Sequence, residues 1–192
     1  MSSENTYVIK TNNLKRKHSK RLSRTYLYFL YFIIFAFIGW VAETFYSLYE
    51  LGHFTKRGFL YGPICPIYGF GALILIIFFS QYKKKNLKLF FYSAVIFSAF
   101  EYVVGYAMDA LFATKWWDYT NEFFNLNGRI SIFYSFVWGV AAILFVNHIY
   151  PYFKKKLNVL LSKIPYNIQL YTLQLLGSVL LIDTIMSFAK NL

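Results

Sequence analysis

Charged residues, and acidic ones above all, are scarce in this chain. Only 8 of its 192 residues are aspartate or glutamate and 15% carry any charge, so long stretches have no charged side chain. The same chain is 58% hydrophobic and 23% aromatic. Long uncharged apolar stretches in such a composition are typical of proteins that cross a membrane, and composition therefore assigns the chain to the membrane class.

The residues that several kinds of chemistry require are also missing. The single cysteine, Cys65, excludes an internal disulfide, and it fits a small buried residue better than a nucleophile. The three histidines are isolated from one another and from the cysteine, so we predict no metal site and no cofactor. No phosphate loop of the G-x-x-x-x-G-K-[ST] type occurs, and any ATPase would have to be another polypeptide.

Five apolar segments are long enough to cross a hydrocarbon core of roughly 30 Å. They cover about residues 26–47, 64–82, 89–112, 130–152 and 166–189. We therefore predict an all-α fold, a polytopic membrane bundle of about five transmembrane helices that forms a single domain over residues 25–192. Residues 1–24, which are polar and basic, are predicted to form a cytoplasmic arm.

The 20 lysines and arginines are shared unevenly between the two ends of these segments. Fifteen lie on the side of the N-terminus and five on the other side. Because basic residues concentrate in cytoplasmic loops, this count predicts a multi-pass cell-membrane protein with a cytoplasmic N-terminus and an extracytoplasmic C-terminus. Short basic clusters between apolar runs also indicate contact with membrane lipids rather than nucleic acid.

The predicted outward loops, at residues 48–63 and 113–129, lead into or contain stretches that differ from plain turns. Residues 57–71, RGFLYGPICPIYGFG, contain four glycines and two prolines, which free backbone groups that must be covered by protein or line a water-filled cavity. Residues 115–129, KWWDYTNEFFNLNGR, interleave polar and aromatic side chains. We predict that the second stretch is a structured lid that packs back on the bundle.

The two outward loops are similar enough to suggest an internal repeat. Each follows a helix that carries a glutamate, Glu43 or Glu101, and in each a glycine precedes a tyrosine by six positions. These pairs are Gly62 with Tyr68 and Gly128 with Tyr134. One interpretation is two parallel helical hairpins plus a fifth helix. The other is that glycines, aromatics and hairpins recur in any small membrane protein.

Acids inside apolar segments give the strongest indication of a site, because a carboxylate at the bilayer centre costs roughly 2.5–3.5 kcal/mol and usually faces a partner or a cavity. Glu101 falls near mid-membrane with Asp109 two turns further out, and Glu43 lies nearer the outer surface. Arg57 and Arg129 lie in the outward loops, where a guanidinium can hold a carboxylate or phosphate. The ligand-binding candidates are Glu43, Arg57, Glu101, Asp109, Arg129, Trp117 and Asp118.

Each candidate also fits a structural role. Glu101 fits a protonated or tyrosine-bonded contact between helices. The two arginines fit ion pairs with Glu43 and Glu101, or exposed interfacial cations. Trp117 fits the belt of aromatic residues at the level of the lipid headgroups. No arrangement of nucleophile and base is recognisable, so catalytic residues are unknown and an enzyme is the less favoured class.

Four motifs together resemble a known family. They are GWVAE at 39–43, RGFLYGPICPIYG at 57–69, WDY at 117–119 and FNLNG at 124–128. The chain resembles the small bacterial membrane proteins labelled putative ABC-transporter type IV, or CmpB-like permeases, over about residues 30–145. The resemblance implies a permease subunit, and a transport component of this size would act as a homo-oligomer or with a separate ATPase subunit.

Three functions remain open at this point. The first is that permease-like component, with an outward-facing polar site between its helices. The second is a membrane-embedded enzyme that acts on a lipid or cell-envelope precursor. The third is a non-catalytic membrane scaffold or sensor. The intramembrane acids and the interrupted segment favour the first.

Overall fold

The computed structural model describes the backbone of residues 2–191 and the side chains of residues 24–191. Within this range the fold is all-α, as predicted. Its helices are α1 (Ser2–Leu51), α2 (Pro66–Ile74), α3 (Asn86–Phe112), α4 (Ile132–Leu144), α5 (Tyr150–Lys163) and α6 (Tyr166–Asn191). A π turn (Leu75–Phe79) and a 3-10 turn (Ser80–Tyr82) extend α2, and a second π turn (Phe145–Ile149) joins α4 to α5.

Four helical stretches of the described chain are long and apolar enough to cross a membrane. They are Arg24–Leu51, Asn86–Phe112, Ile132–Lys163 and Tyr166–Asn191. The remaining predicted segment is a shorter apolar helix, Pro66–Tyr82. At about 1.5 Å per residue this helix is roughly 25 Å long, a little less than the hydrocarbon core. The predicted class, a polytopic helical membrane protein, is confirmed.

The basic segment at the N-terminus continues directly into the first apolar segment, because α1 is one helix from Ser2 to Leu51. Its side chains up to residue 23 lie outside the described part of the chain. The division into a cytoplasmic arm and one transmembrane domain therefore stays a prediction.

The fourth apolar segment extends further than its hydropathy indicates. Its helix ends at Lys163, whereas the uncharged apolar run ends just before Lys154. Pro151 does not stop it: the π turn Phe145–Ile149 directly before it shifts the backbone hydrogen bonds of the helix, so the missing N–H of the proline is accommodated. The lysines that follow are good helix formers, so the helix continues past the apolar region.

The described chain forms two compact units. The first comprises residues 2–69 and 155–185, and the second comprises residues 70–154 and 186–191. In the first unit, the glycine-rich segment packs on α1: the backbone N–H of Cys65 donates to the carbonyl of Ala36 over 3.0 Å. Protein therefore covers the stretch at Leu60, Cys65 and Gly69, which are buried, whereas Tyr61 and Pro63 remain exposed.

In the second unit, α3 and α4 share the most extensive contact. Small residues let the two helices approach closely: the hydroxyl oxygens of Ser98 and Ser135 are 2.6 Å apart, and Ala142 is fully buried. Lipid offers no hydrophobic drive for helices to associate, so this close packing and the hydrogen bond between the serines hold the hairpin together.

Large apolar side chains remain exposed along the long helices. Examples are Tyr49 on α1, Val103 on α3 and Leu175 on α6. A protein in water rarely presents so much contiguous apolar surface, whereas acyl chains solvate it without cost. The exposed apolar surface therefore agrees with a membrane setting for both units.

Candidate functional site

Glu43 on α1 is the centre of a polar cluster in the first unit. Its Oε1 accepts a hydrogen bond from the hydroxyl of Tyr68, and its Oε2 lies 3.8 Å from Nε of Arg57. Gly39, one turn earlier, provides space for the tyrosine: a Cβ at Gly39 would lie 2.3 Å from Cγ of the Tyr68 ring. We call Glu43, Arg57 and Tyr68 the Glu43 cluster.

The ion pair in this cluster is loose. Its 3.8 Å separation exceeds hydrogen-bond distance, and the side chains of Arg57 and Glu43 are 28% and 34% exposed. The Nε atom of Arg57 is buried and has no hydrogen-bond partner within the described residues. Exposed pairs of this kind contribute only about 0–1 kcal/mol to stability. The guanidinium can therefore change partner at little cost.

Glu101 on α3 occupies a different environment in the second unit. It is 5% exposed, and its carboxyl accepts hydrogen bonds from the Tyr119 hydroxyl (2.8 Å) and from the indole N–H of Trp138 (3.0 Å). Tyr119 in turn stacks on Tyr134, with ring centroids 4.2 Å apart. Glu101 forms none of the ion pairs found in the described chain. The tyrosine-bonded helix contact is the interpretation that matches this geometry.

Arg129 pairs with Asp109 rather than with Glu101. Its Nη2 lies 2.6 Å from Oδ2 of Asp109, and its guanidinium lies over the rings of Tyr102 and Tyr106. The predicted ion pair between Arg57 and Glu43 forms. The prediction of an ion pair between Arg129 and Glu101 is wrong. Glu101 precedes Asp109 by eight residues, which places it roughly 12 Å further along α3 from the loop that carries Arg129.

The loop over residues 113–131 is structured, as predicted. Trp117 donates its indole N–H to the carbonyl of Arg129 over 2.9 Å, and the amide of Tyr119 donates to the carbonyl of Gly128 over 2.8 Å. These contacts close the loop on itself and hold Tyr119 and Arg129 against α3. Trp117 thus has a positioning contact within the loop, which differs from both the ligand-binding role and the headgroup-belt role suggested by the sequence.

Asp118 contacts neither the Glu43 cluster nor the partners of Glu101 and Asp109. Its carboxylate accepts hydrogen bonds from the hydroxyl and amide of Thr120 and contacts Lys115 over 3.2 Å. These contacts, the Thr120 hydrogen bonds first, hold the pKa of Asp118 below its ordinary value. Asp118 shapes the exposed loop, and it is the sequence candidate with the least connection to the others.

Asp183 on α6 anchors the glycine-rich segment of the first unit. Its Oδ1 accepts the backbone N–H of Tyr61 over 2.8 Å, and its Oδ2 accepts that of Gly62 over 2.9 Å. A Cβ at Gly62 would lie 2.9 Å from this carboxylate, so the residue has to be small. Two backbone donors freed by the irregular chain are thereby satisfied.

Most of the chain, including both polar clusters, matches the model of a known family. The family model described as Putative ABC-transporter type IV matches residues 30–188. The chain belongs to this family. It is a multi-pass membrane protein with several long apolar helices. Searches of curated proteins and of solved structures found no significant match.

The family match is longer than the sequence motifs indicated. It ends at residue 188 rather than near 145, and so includes most of α6. The recognisable motifs lie in the loops and at the helix ends beside them, whereas none of these motifs lies in α6. Within the first unit, the contact from Asp183 to Tyr61 and Gly62 links α6 to the glycine-rich segment.

Sequence reasoning missed four residues that hold these groups together: Tyr68, Tyr119, Trp138 and Asp183. A signal existed for Trp138, because an indole N–H inside an apolar helix needs an acceptor, and Glu101 is an acid within the preceding span. Asp183 is an acid within a predicted apolar segment, but its partners are backbone amides, which no residue pattern displays. Tyr68 and Tyr119 lie within the sequence motifs, but nothing distinguished them among the 18 tyrosines of the chain as the partners of the two glutamates.

The two arginines should differ sharply in their effect on stability. Arg129→Ala should lower the free energy of unfolding by about 1–3 kcal/mol, because it leaves Asp109 without its short ion pair. Arg57→Ala should lower it by less than about 1 kcal/mol, since its pair is loose and partly exposed. Equilibrium unfolding in mixed micelles measures both, and equal losses would contradict the geometric distinction.

Proposed function

We propose that the chain is the permease-like component of a transporter and that the Glu43 cluster binds an anionic group of its substrate. The observation that carries the proposal is the loose ion pair between Arg57 and Glu43, with Nε of Arg57 buried and lacking a hydrogen-bond partner in the described chain. Membership of a family named for ABC transporters supports the choice of transport over the other functions.

The cluster has the parts that reversible capture of an anion requires. A guanidinium presents a planar fork to a carboxylate or phosphate, and the bound anion can replace the weak contact with Glu43. The hydroxyl of Tyr68 remains hydrogen-bonded to Glu43, so the displaced carboxylate keeps a partner. Binding and release then exchange one weak contact for another, which suits a substrate that must leave again.

Arg129 differs from Arg57 in its ion pair, although its Nε is also buried and has no hydrogen-bond partner within the described residues. Its carboxylate partner lies at 2.6 Å and two aromatic rings cover its guanidinium. A ligand would have to break a strong pair to reach it. We therefore propose that Arg129 holds the loop on α3 and that Arg57 binds the ligand.

The predicted orientation gives the cluster an extracytoplasmic position, and energy would come from the cytoplasmic side. Since the chain has no phosphate loop, ATP hydrolysis belongs to a separate subunit. A complex of this chain with an ATPase is thus part of the proposal.

The test is purification from native membranes, followed by mass spectrometry of the retained small molecules. The wild-type protein should retain an anionic compound that Arg57→Ala loses and Arg57→Lys retains only in part, because lysine lacks the fork. Lys56→Ala is the matched control: it removes the neighbouring cation, which lies over the Tyr61 ring and outside the cluster. This variant should retain the compound.

Two results would overturn the proposal. One is that wild type and Arg57→Ala retain the same compounds in the same amounts. The other is that the wild type retains no anionic compound and no ATP hydrolysis co-purifies with it above the level of an unrelated tagged membrane protein, which would favour a scaffold.

A further inference from the structure

A basic cavity lies at one end of the second unit, where α3 begins and α4 ends. Its volume is about 280 Å³, and it is lined by Lys83, Lys84, Asn86, Asn147 and His148. None of these residues belongs to the clusters described above. Every lining residue has a polar side chain and four of the five are exposed, so the cavity is an open surface depression that adjoins two membrane-spanning helices.

Asn147 holds the walls of the cavity in place. Its Oδ1 accepts the backbone N–H of Lys84 over 2.9 Å, and its Nδ2 donates to Oδ1 of Asn86 over 2.9 Å. Asn147 and His148 both come from the π turn Phe145–Ile149, a feature that often marks functional positions in helices. Lys84 has a φ of +67°, so the turn that presents the two lysines has a fixed and uncommon conformation.

The positive charge of the cavity is not neutralised by the protein. Residues 70–100 and 130–165 contain no aspartate or glutamate. Neither Lys83 nor Lys84 takes part in any of the ion pairs found in the described chain. Two lysines held beside a histidine and two amides, without a carboxylate, form a site for an anion with several oxygen acceptors, such as a phosphate.

The surroundings indicate that this phosphate carries acyl chains. Leu87 follows the lining residue Asn86 and is 76% exposed, and Ile149 follows His148 and is also exposed. The polar cavity therefore adjoins side chains that face lipid tails. An anionic phospholipid combines a phosphate with acyl chains in this way, whereas a soluble phosphate leaves the apolar rim without a partner.

We propose that this cavity binds the phosphate of an anionic phospholipid headgroup, with Lys83, Lys84 and His148 facing the phosphate and the acyl chains running beside Leu87. The bound lipid comes from the leaflet on the lysine-rich side of the membrane. The site is separate from the Glu43 cluster, and it stands or falls independently of the transport proposal.

The test compares two double variants that remove the same charge. Lys83→Ala/Lys84→Ala empties the cavity of both lysines, and Lys85→Ala/Lys88→Ala removes two neighbouring lysines that do not line it. Delipidated protein is titrated with phosphatidylglycerol, with phosphatidylcholine and with inorganic phosphate alone, and bound species are counted by native mass spectrometry. Asn147→Ala changes no charge, and it tests whether lipid binding requires the hydrogen bonds from Asn147 to Lys84 and Asn86.

The wild type should bind phosphatidylglycerol about tenfold more tightly than phosphatidylcholine, as expected for two lysines next to an anionic headgroup. The cavity variant should lose this preference, Asn147→Ala should weaken it, and the Lys85/Lys88 control should keep it. Equal losses in both double variants would show a general charge effect and overturn the site. Displacement of the lipid by millimolar inorganic phosphate would overturn the lipid assignment.

Discussion

Replacing Glu101 with alanine should lower the free energy of unfolding by about 2–5 kcal/mol. The substitution removes the acceptor of both Tyr119 and Trp138, and it also leaves a void at a position that is 5% exposed. The alanine variant no longer has to bury a carboxyl group, but this gain offsets only part of the loss in the free energy of unfolding. Equilibrium unfolding in mixed micelles measures the change, and the indole N–H resonance of Trp138 should move as its hydrogen bond is lost.

Glu101→Gln is the matched control. The glutamine oxygen can accept from Trp138 while its amide donates to the Tyr119 oxygen, so we expect a loss of less than about 1 kcal/mol and a smaller movement of the indole resonance. If Gln and Ala variants were equally destabilised, the carboxylate charge rather than its hydrogen bonds would be the important feature. If neither variant lost stability, the hydrogen bond between Glu101 and Trp138 would not contribute to the stability of the fold.

Removing the carboxylate of Asp183 should have an effect of similar size. Asp183→Ala leaves the backbone amides of Tyr61 and Gly62 without acceptors, and we expect a loss of about 2–5 kcal/mol because both hydrogen bonds are charge-assisted. Hydrogen exchange should quicken at these two amides first. The measurement is exchange mass spectrometry on peptides that cover residues 58–64, combined with unfolding in mixed micelles.

Asp118→Ala gives the comparison for Asp183. Asp118 also accepts from a backbone amide, that of Thr120, but in an exposed loop where water replaces the lost partner. We expect a loss below about 1 kcal/mol and no change in exchange at residues 58–64. Unchanged exchange at Tyr61 and Gly62 in the Asp183 variant would show that α6 does not hold the glycine-rich segment.

The internal repeat proposed from the sequence is only partly reflected in the side-chain contacts. Tyr68 donates directly to Glu43, whereas Tyr134, at the corresponding place six residues after a glycine, stacks on Tyr119. Tyr119 from the loop is the tyrosine that reaches Glu101. Each unit thus joins a glutamate to a tyrosine, but by different routes, because the second loop is longer and contributes its own aromatic residue.

Most of the fold followed from hydropathy. The apolar segments predicted at 26–47, 89–112 and 166–189 lie within helices Arg24–Leu51, Asn86–Phe112 and Tyr166–Asn191. The prediction differed most at the fourth segment, where the helix continues to Lys163. Hydropathy reports where apolar side chains end, and lysines that leave the lipid do not break a helix.

The candidate site was less predictable than the helices. The acids within apolar runs were identified correctly as groups that need partners, because burial of a carboxyl is costly wherever it occurs. Which partner each acid has was not predictable. Arg57 forms an ion pair with Glu43 as predicted, whereas Arg129 pairs with Asp109. Glu101 accepts hydrogen bonds from two neutral side chains, Tyr119 and Trp138.

The sequence by itself determined the membrane class, the approximate segments and the positions where charge requires a partner. Each of these depends on the transfer energy of side chains within one short stretch. Only the tertiary structure decided that Asp183 holds Gly62, 121 residues away, and that Asn147 closes a basic cavity with Lys84. Such contacts depend on the distance and direction of single donors and acceptors, which form only after the helices have packed.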